Sequence, residues 1–481
     1  MCSGLLFTCD LRCSRPEVGN DRPEAYAPSR VRLATPLRSR PIRTHLEVAH
    51  EAFSPATGLL KHQPMTNRRA VNLLALISQS RATVPRVIRL FLLLAILVAA
   101  SPARAVDLGI DRLQQMNFAP LAGKRVGLVT NQTGVNSAGV KTRVILSKAR
   151  NVNLVALFTP EHGLDGTELA GKYISSRVDR VTGVIAHSLY GPTRKPTPAM
   201  LRGIDVLVYD MQDIGCRSYT YVSTMGKCMQ AAAEAGIEFM VLDRPNPLGG
   251  IRVEGPPVEP RWISFVGQFP VPYVHGLTVG ELAKMSNAKQ WMGPPCRLTV
   301  IEMRGWNRRM TWRSTGLRWV QTSPNIPRAD SPAYYVVTGL VGSLGGVEAG
   351  VGGPTPFEII AFRGANAASF TDSLQKLGFD GMSYEPYVSG PWQGARLRID
   401  PDRAGNLCAL ATYLIASGNR YATPGIFARS PAAKLDIFYK CYGSQSIRAQ
   451  IEGGTPVPRI VDGWRASVQR FESERTPYLL Y

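Results

Sequence analysis

The sequence has few of the residues that build metal centres and disulfide frameworks. Its 481 residues include 8 cysteines and 6 histidines. Five of the cysteines lie beyond residue 105, with no Cys-x-x-Cys pair among them. Since an odd number cannot pair completely within one chain, we expect mostly buried free thiols, with one disulfide as the alternative. The histidines beyond residue 105 are His162, His187 and His275, which is too few for a zinc or two-metal centre, so we expect no metal.

Signatures of two common enzyme classes are also missing. The turn after the first predicted strand, residues 130–139, reads TNQTGVNSAG, which is neither Gly-x-Gly-x-x-Gly nor a P-loop. The sequence contains no Gly-x-Ser-x-Gly, the nucleophile elbow of many serine hydrolases. These absences disfavour nucleotide binding and serine hydrolysis, and we expect no cofactor.

The apolar run LFLLLAILVAA, residues 90–100, is shorter than the roughly 20 residues of a membrane span. Arg86 and Arg89 precede it, and Ser101-Pro-Ala-Arg-Ala105 follows it. This order is typical of a secretory signal, which we place at residues 86–105 with cleavage after Ala105. A retained membrane anchor is the alternative. We therefore expect a periplasmic or secreted protein with no stable membrane anchor after cleavage.

The chain before the signal is rich in Arg and Pro. We interpret residues 1–85 as an extension foreign to the native protein, produced by a start codon assigned too early. The net charge of +21 falls to +12 for residues 106–481, which contain 41 basic and 29 acidic residues. These charges are dispersed, with no basic helix and no basic stripe interleaved with aromatic residues, so we expect no nucleic-acid partner.

From residue 124 onward, short apolar runs alternate with helical patterns, which is typical of a parallel sheet covered by helices. The predicted strands are 125–129, 154–158, 183–186, 205–209, 238–242 and 297–301. Helices are predicted over 222–235, with Gly236 as the stop, and over Thr278–Asn287, where Thr278 and Glu281 have the capping-box spacing. This α/β pattern fades near residue 329. We predict a parallel-sheet domain over 106–328 and an α+β domain over 329–481.

Ligands of open α/β sheets bind beyond the carboxyl ends of the strands. The polar residues that follow the predicted strands are Asn131, Glu161, His162, Tyr190, Arg194, Asp210, Asp213, Asp243, Arg244 and Asn246. Carboxylates in this set favour glycoside hydrolysis, which needs a proton donor and either a second carboxylate or a group of the substrate. Glu161 in FTPEHG is the preferred donor, because Phe158 and Pro160 beside it can remove water. Each aspartate has the alternative role of a helix cap or an ion-pair partner.

Several longer motifs carry a family resemblance. They are TPEHG (159–163), SLYGPTRKPTPAML (188–201), LVYDMQDIGCRSYTYVST (207–224), DRPNPLGGIRVEGP (243–256), VPYVHGLTVGELA (271–283), SPNIPR (323–328) and RTPYLLY (475–481). With these motifs the chain resembles the NamZ/YbbC-like family of exo-β-N-acetylmuramidases over roughly residues 107–481. The resemblance implies a Rossmann-like domain, a smaller auxiliary domain, a site in the cleft between them and no cofactor.

The resemblance also implies a substrate and roles for residues. The substrate class is peptidoglycan-derived muropeptides or disaccharides, from which terminal N-acetylmuramic acid is released at the non-reducing end. The family's catalytic glutamate falls on Glu161. Arg194, Arg217 or Arg244 is a candidate for gripping the lactyl carboxylate, although each could instead pair with an aspartate. The other candidates for substrate binding are Asn131, Tyr190, Tyr219, Tyr221, Asn246, His275 and Asn325, with packing as the alternative role of the tyrosines.

Two mechanisms stay open. In the favoured one, Glu161 is the general acid/base, the substrate's 2-acetamido oxygen attacks the anomeric carbon, and Asp210 or Asp213 orients the amide. In the other, a second carboxylate acts as nucleophile or as base for water. His162 and His275 are orienting hydrogen-bond partners or structural histidines. A cell-wall esterase or amidase and a non-catalytic wall-binding protein are the rival functions.

The sequence departs from the family pattern in two places: a glycine-rich loop, and residues 361–364, AFRG, where family members commonly have Gly-Ala-Pro-Trp. Family members often have Asn-x-Ser-x-Gly-Arg-Gly-Thr where this chain has residues 346–353, GVEAGVGG. Glu348 stands in place of the serine and Val351 in place of the arginine. This change puts the second domain's contribution to substrate binding in doubt, and Glu348 is a candidate partner for a basic neighbour.

Overall fold

The chain contains a seven-stranded sheet in its first part and a four-stranded sheet in its second. This computed structural model describes residues 106–169, 171–422 and 424–481. The predicted extension (1–85) and signal (86–105) lie outside the described residues. None of the helices in the described part is long and apolar enough to cross a membrane.

The first sheet has the order β3-β4-β2-β1-β5-β6-β7. Its strands are β1 (Arg125–Thr130), β2 (Asn153–Thr159), β3 (Arg177–Val178), β4 (Ile185–Ser188), β5 (Val206–Asp210), β6 (Glu238–Leu242) and β7 (Arg297–Ile301). All neighbours pair in parallel except the edge strand β3. The helices of this domain are α1 (Gly109–Gln115), α2 (Thr142–Lys148), α3 (Pro198–Leu201), α4 (Thr220–Ala235) and α5 (Val279–Ala288).

The central strands are apolar throughout because both faces of the sheet are covered. Along β5, Val206 and Val208 belong to one hydrophobic cluster, whereas Leu207 and Tyr209 belong to the other. Successive side chains of a strand point to opposite faces, so this division follows from the period of two. The second cluster continues into the C-terminal sheet, where it includes Phe362. The two sheets therefore share one core.

The second sheet is antiparallel and has the order β10-β11-β9-β8. Its strands are β8 (Val347–Glu348), β9 (Ile359–Arg363), β10 (Met382–Ser389) and β11 (Trp392–Ile399). The helices are α6 (Ser331–Gly342), α7 (Ala367–Gln375), α8 (Leu407–Tyr421), α9 (Ile426–Arg429), α10 (Ala432–Tyr442), α11 (Ser446–Glu452), α12 (Val457–Asp462) and α13 (Arg465–Arg475). The predicted α/β class with a smaller α+β domain is confirmed, and the division at residue 328 stays a prediction.

The predicted elements of the first domain are confirmed with small shifts at their ends. Strands β6 and β7 have the predicted bounds, and β4 begins two residues later than predicted, at Ile185. Helix α5 begins with the predicted capping box. The Thr278 hydroxyl accepts from the Glu281 amide at 3.1 Å, and the Glu281 carboxylate accepts from the Thr278 amide at 3.0 Å.

The C-terminal segment is anchored to buried carboxylates of the first domain. The Tyr481 hydroxyl donates to Oδ2 of Asp243 at 2.8 Å and accepts from the Met303 amide at 2.8 Å. The Leu480 amide donates to Oε1 of Glu281 at 2.9 Å. Burial, followed by the charge of Glu281, raises the pKa of Asp243 to about 7. Asp243, one of the residues at the carboxyl edge of the sheet, is therefore held by the end of the chain.

Tyr481→Phe is expected to lower the free energy of unfolding by about 1–3 kcal/mol, because it removes a donor from a buried carboxyl and an acceptor from a buried amide. Urea denaturation followed by circular dichroism measures the change. Tyr478→Phe is the matched control, since Tyr478 lies three residues earlier and outside these hydrogen bonds. Equal stabilities of the two variants would contradict a role for the Tyr481 hydroxyl.

Candidate active site

Glu161 lies just beyond the carboxyl end of β2 and is 4% exposed. Its Oε1 accepts from the backbone amide of Gly171 at 2.9 Å. Its Oε2 accepts from the hydroxyl of Thr220, the first residue of α4, at 2.9 Å. A buried carboxylate needs such donors. The loop after β2 and the start of α4 together fix its orientation.

The backbone turns sharply at the residue after Glu161. His162 has φ of +68°, in the left-handed region that residues other than glycine rarely adopt, and Gly163 follows with φ of +75°. The imidazole Nδ1 lies 2.7 Å from the carbonyl oxygen of Glu168, so Nδ1 carries the proton and donates. This contact closes the loop that also carries Gly171.

A cleft of about 720 Å³ of empty space, part of it open to solvent, begins at Glu161. Both domains contribute to its walls, and five of the lining residues are Tyr or Phe. The lining residues are Glu161, His162, Ser218, Tyr219, Thr220, Tyr221, Tyr273, Ser323, Asn325, Ile326, Tyr335, Gly339, Leu340, Ser343, Phe357 and Cys441. Among these described residues, Glu161 is the single carboxylate.

Tyr190 and Arg194 lie beside Glu161. The guanidinium carbon of Arg194 is 3.5 Å from the centre of the Tyr190 ring. Burial, followed by the negative charge of Glu161, raises the pKa of Tyr190, whose hydroxyl therefore stays protonated. The structure brings both predicted residues to the neighbourhood of the predicted acid.

Tyr219 and Asn325 are also placed in the cleft. The Tyr219 hydroxyl donates to Oγ1 of Thr322 at 2.8 Å, and its ring packs edge-on against Tyr221. Oδ1 of Asn325 accepts from the Gly352 amide at 3.0 Å. This hydrogen bond connects the SPNIPR segment to the altered glycine-rich loop. The cleft wall thus includes a contact made by that loop's backbone.

Within the described chain, Glu348 of the altered loop forms no ion pair. Oε1 of Glu348 accepts from the Gly350 amide at 2.7 Å, so the carboxylate braces its own turn. Val351 is partly buried against the hydrophobic core. Glu348 therefore forms a hydrogen bond within its own turn, and Val351 makes an apolar contact with the core, at two positions where family members often have serine and arginine.

Asp210 and Arg244 are not brought to the cleft. Oδ1 of Asp210 pairs with Nε of Arg244 at 2.6 Å, and its other oxygen accepts from the Thr142 hydroxyl. Arg244 also donates to the Val135 carbonyl at 2.7 Å. Both side chains are buried, at 0% and 2% exposure. They form an ion pair at the sheet edge, which was the alternative considered for each residue.

Asp213, Asn246 and His275 lie together around a second, much smaller cavity. Oδ2 of Asp213 accepts from the Gly215 amide at 2.7 Å, and burial raises its pKa to about 7. Burial, then the charges of Arg475 and Arg217, lowers the pKa of His275 to about 3, so this imidazole is neutral. The structure groups these three predicted residues, but apart from Glu161.

Arg217 and Asn131 have backbone partners. Arg217 donates to four carbonyl oxygens, those of Pro256 (2.9 Å), Val271 (2.6 Å), Cys441 (3.1 Å) and Tyr442 (2.7 Å). Burial lowers its pKa to about 10, which leaves it charged at neutral pH. Oδ1 of Asn131 accepts from the Thr133 amide at 2.9 Å. Neither side chain lines the cleft in the described structure.

Six hydroxyl residues of the cleft were not predicted as site residues: Ser218, Thr220, Tyr273, Ser323, Tyr335 and Ser343. Four of them lie within quoted motifs, and the signal available for Ser218 and Thr220 was that they flank Tyr219. Tyr335 and Ser343 lie outside every motif. The prediction of free thiols is confirmed for the five described cysteines, all of which are buried.

Comparisons with known proteins cover most of the described chain. A model of "exo-beta-N-acetylmuramidase NamZ, N-terminal" matches residues 126–330, and one of its C-terminal counterpart matches 333–481. The chain is 38% identical over 386 residues to the peptidoglycan beta-N-acetylmuramidase NamZ of Bacillus subtilis (strain 168). That match covers 78% of this chain and 91% of the relative.

Two crystal structures of DUF1343 family proteins from Bacteroides fragilis NCTC 9343 are also similar. One has a TM-score of 0.74 at 42% identity, over 79% of this chain and 100% of the other. The second has a TM-score of 0.59 at 29% identity, over 79% of this chain and 99% of the other. The similarity therefore extends over both sheets.

Asp213→Asn is expected to gain stability relative to the wild type as pH rises from about 5 to about 8. The folded carboxyl keeps its proton up to a pKa of about 7, whereas the unfolded one releases it near 3.9. Wild-type stability therefore loses the contribution of this group as pH rises through that window, and the neutral amide does not. Urea denaturation at several pH values measures the difference.

Asp205→Asn is the control for this experiment. The guanidinium of Arg125 lowers the pKa of Asp205 to about 2, so this carboxylate is ionised in both states above pH 5. Its difference from the wild type should not change over the same range. A pH-independent difference for Asp213→Asn would contradict the raised pKa.

Proposed function

Because the chain belongs to the NamZ family of exo-β-N-acetylmuramidases, we propose that it releases terminal N-acetylmuramic acid from the non-reducing end of peptidoglycan fragments. Glu161 is its general acid/base. The observation that carries this assignment is that Glu161 is the single carboxylate among the described residues lining the cleft. Its substrates are peptidoglycan-derived muropeptides or disaccharides. It works in the periplasm or outside the cell, after removal of the segment 86–105.

The chemistry has two steps at Glu161. Its carboxyl group first gives a proton to the bridging oxygen of the glycosidic bond as that bond breaks. The resulting carboxylate then takes a proton from the water that attacks the anomeric carbon. Hydrogen bonds from Thr220 and Gly171 hold the group in one orientation for both steps.

The substrate's 2-acetamido oxygen is the internal nucleophile of the first step. Direct displacement needs a second carboxylate beside the anomeric carbon. Among the described residues that line the cleft, Glu161 is the one carboxylate. Asp210 is committed to Arg244, and Asp213 faces the smaller cavity, so these two carboxylates support the fold of the rim.

Arg194 binds the lactyl carboxylate that distinguishes N-acetylmuramic acid from N-acetylglucosamine. Of the three arginines considered for this role, it is the one beside Glu161 and Tyr190. Arg217 and Arg244 instead donate to backbone carbonyls or to Asp210.

Glu161→Gln is expected to lower kcat on a chromogenic N-acetylmuramic acid glycoside by about 100- to 10,000-fold, since the amide cannot transfer the proton. Its melting temperature should stay close to that of the wild type, because the amide oxygen still accepts a hydrogen bond. Glu168→Gln on the same loop is the matched control and should retain turnover. Unchanged turnover in Glu161→Gln would remove this residue from the mechanism.

Arg194→Gln is expected to raise KM for the N-acetylmuramic acid glycoside by roughly 10- to 100-fold, the effect of losing a hydrogen bond between charged groups. The glycoside of N-acetylglucosamine, which lacks the lactyl group, should show a much smaller change. Lys195→Ala is the control, because Lys195 pairs with Glu234. A parallel loss on both glycosides would argue against lactyl recognition.

A further inference from the structure

Three hydroxyl groups form a cluster in the cleft wall, and we name it the hydroxyl cluster: Ser218, Tyr273 and Tyr335. Oγ of Ser218 lies 2.8 Å from the Tyr273 hydroxyl and 3.2 Å from the Tyr335 hydroxyl. It also lies 3.6 Å from Sγ of Cys216. All three hydroxyl residues line the cleft. No part of the mechanism described above uses them.

The hydroxyl groups of this cluster have more acceptor sites than their mutual contacts use. Burial raises the pKa of both tyrosines, so their hydroxyls stay protonated. Each hydroxyl has one proton and two lone pairs. The two contacts between the hydroxyls use two of the six lone pairs, so lone pairs remain for another partner. Such a cluster can both donate to a carbonyl and accept from an N–H group.

The wall next to the cluster is apolar. Ile326, Leu340 and Phe357 line the same cleft, and Phe357 packs edge-on against Tyr335 at 5.0 Å between ring centres. Gly339 leaves room for the Tyr335 ring, because a Cβ atom there would lie 3.3 Å from it. A ligand group that suits this place has a polar amide edge and a small apolar end. An acetamido group has both.

The cluster and the acid are held by neighbouring residues of one segment. Ser218 belongs to the cluster, and Thr220, two residues later, holds Glu161. Tyr219 between them has an extended backbone, so the Cα atoms of Ser218 and Thr220 are separated by roughly 7 Å. The cluster and Glu161 line the same cleft, so a sugar with its bridging oxygen at Glu161 has its C2 substituent in the cleft that the cluster also lines.

We propose that the hydroxyl cluster of Ser218, Tyr273 and Tyr335 recognises the 2-acetamido group of the substrate and makes the cleft selective for N-acetylated sugars. The cluster positions the acetamido oxygen for attack and takes the place of the carboxylate that such mechanisms otherwise use to hold the amide. This inference rests on the proposed function for the identity of the sugar. Its residues are positioning groups, and Glu161 remains the catalytic residue.

The experiment compares two ligands that differ at C2. N-acetylmuramic acid is titrated against 3-O-lactyl-glucose, which has a hydroxyl in place of the acetamido group, with binding to the purified protein followed by NMR. We expect the wild type to prefer the acetamido sugar, and Tyr335→Phe to reduce the ratio of the two Kd values roughly fivefold to tenfold, the effect of one hydrogen bond. The Kd for N-acetylmuramic acid should rise, and the Kd for 3-O-lactyl-glucose should stay unchanged.

Two further variants make the result decisive. Tyr334→Phe is the matched control on the same helix, since the Tyr334 hydroxyl accepts from the Ile399 amide outside the cleft, and it should keep the wild-type ratio. Ser218→Ala removes the centre of the cluster and should also reduce the ratio, so a poorly folded Tyr335→Phe would not end the test. A wild type without preference, an unchanged ratio in both cluster variants, or an equal loss for both ligands would overturn the proposal.

Turnover of Glu161→Gln and the ratio of the two Kd values together separate this inference from the proposed function. Turnover that survives Glu161→Gln would refute the proposed mechanism, while a ratio that depends on Tyr335 would still support acetamido recognition. Loss of turnover in Glu161→Gln with a ratio independent of the cluster would refute the inference alone.

Discussion

A carboxylate buried at 4% exposure must find hydrogen-bond donors, and this requirement organises the cleft around Glu161. One donor comes from the loop after β2 and the other from the first residue of α4. The two elements are far apart in sequence, and the parallel sheet brings them to the same edge. The geometry of the acid thus depends on the sheet being correctly assembled. His162 contributes by closing the loop through a strained backbone, which is typical of residues held at functional sites.

The second domain contributes lining residues to the cleft, and none of those described is an acid. Tyr335, Leu340 and Phe357 form the wall opposite the rim, and the shared hydrophobic core fixes their distance from it. The proton donor that we propose needs a precise hydrogen-bond setting, which the sheet edge provides, whereas binding of a sugar needs surface area and hydroxyl partners.

The sequence predicted those features that depend on neighbours along the chain. The apolar runs predicted the strands, and with them the position of Glu161 at a strand end, and the spacing of Thr278 and Glu281 predicted a capping box. Contacts between distant residues were beyond the reach of such patterns. Nothing local distinguishes Asp210, which pairs with a residue 34 positions later, from an aspartate that faces a ligand. The link between Ser218 and Tyr335 joins residues 117 positions apart.

Arg217 connects the two domains through hydrogen bonds. Its guanidinium donates to two carbonyls of the first domain and to those of Cys441 and Tyr442 at the end of α10, and Cys441 lines the cleft. Lysine could not replace it, because an ammonium group has three protons and no planar fork. The two walls of the cleft are therefore joined at this side by one buried guanidinium, which opposes a hinge motion between the domains.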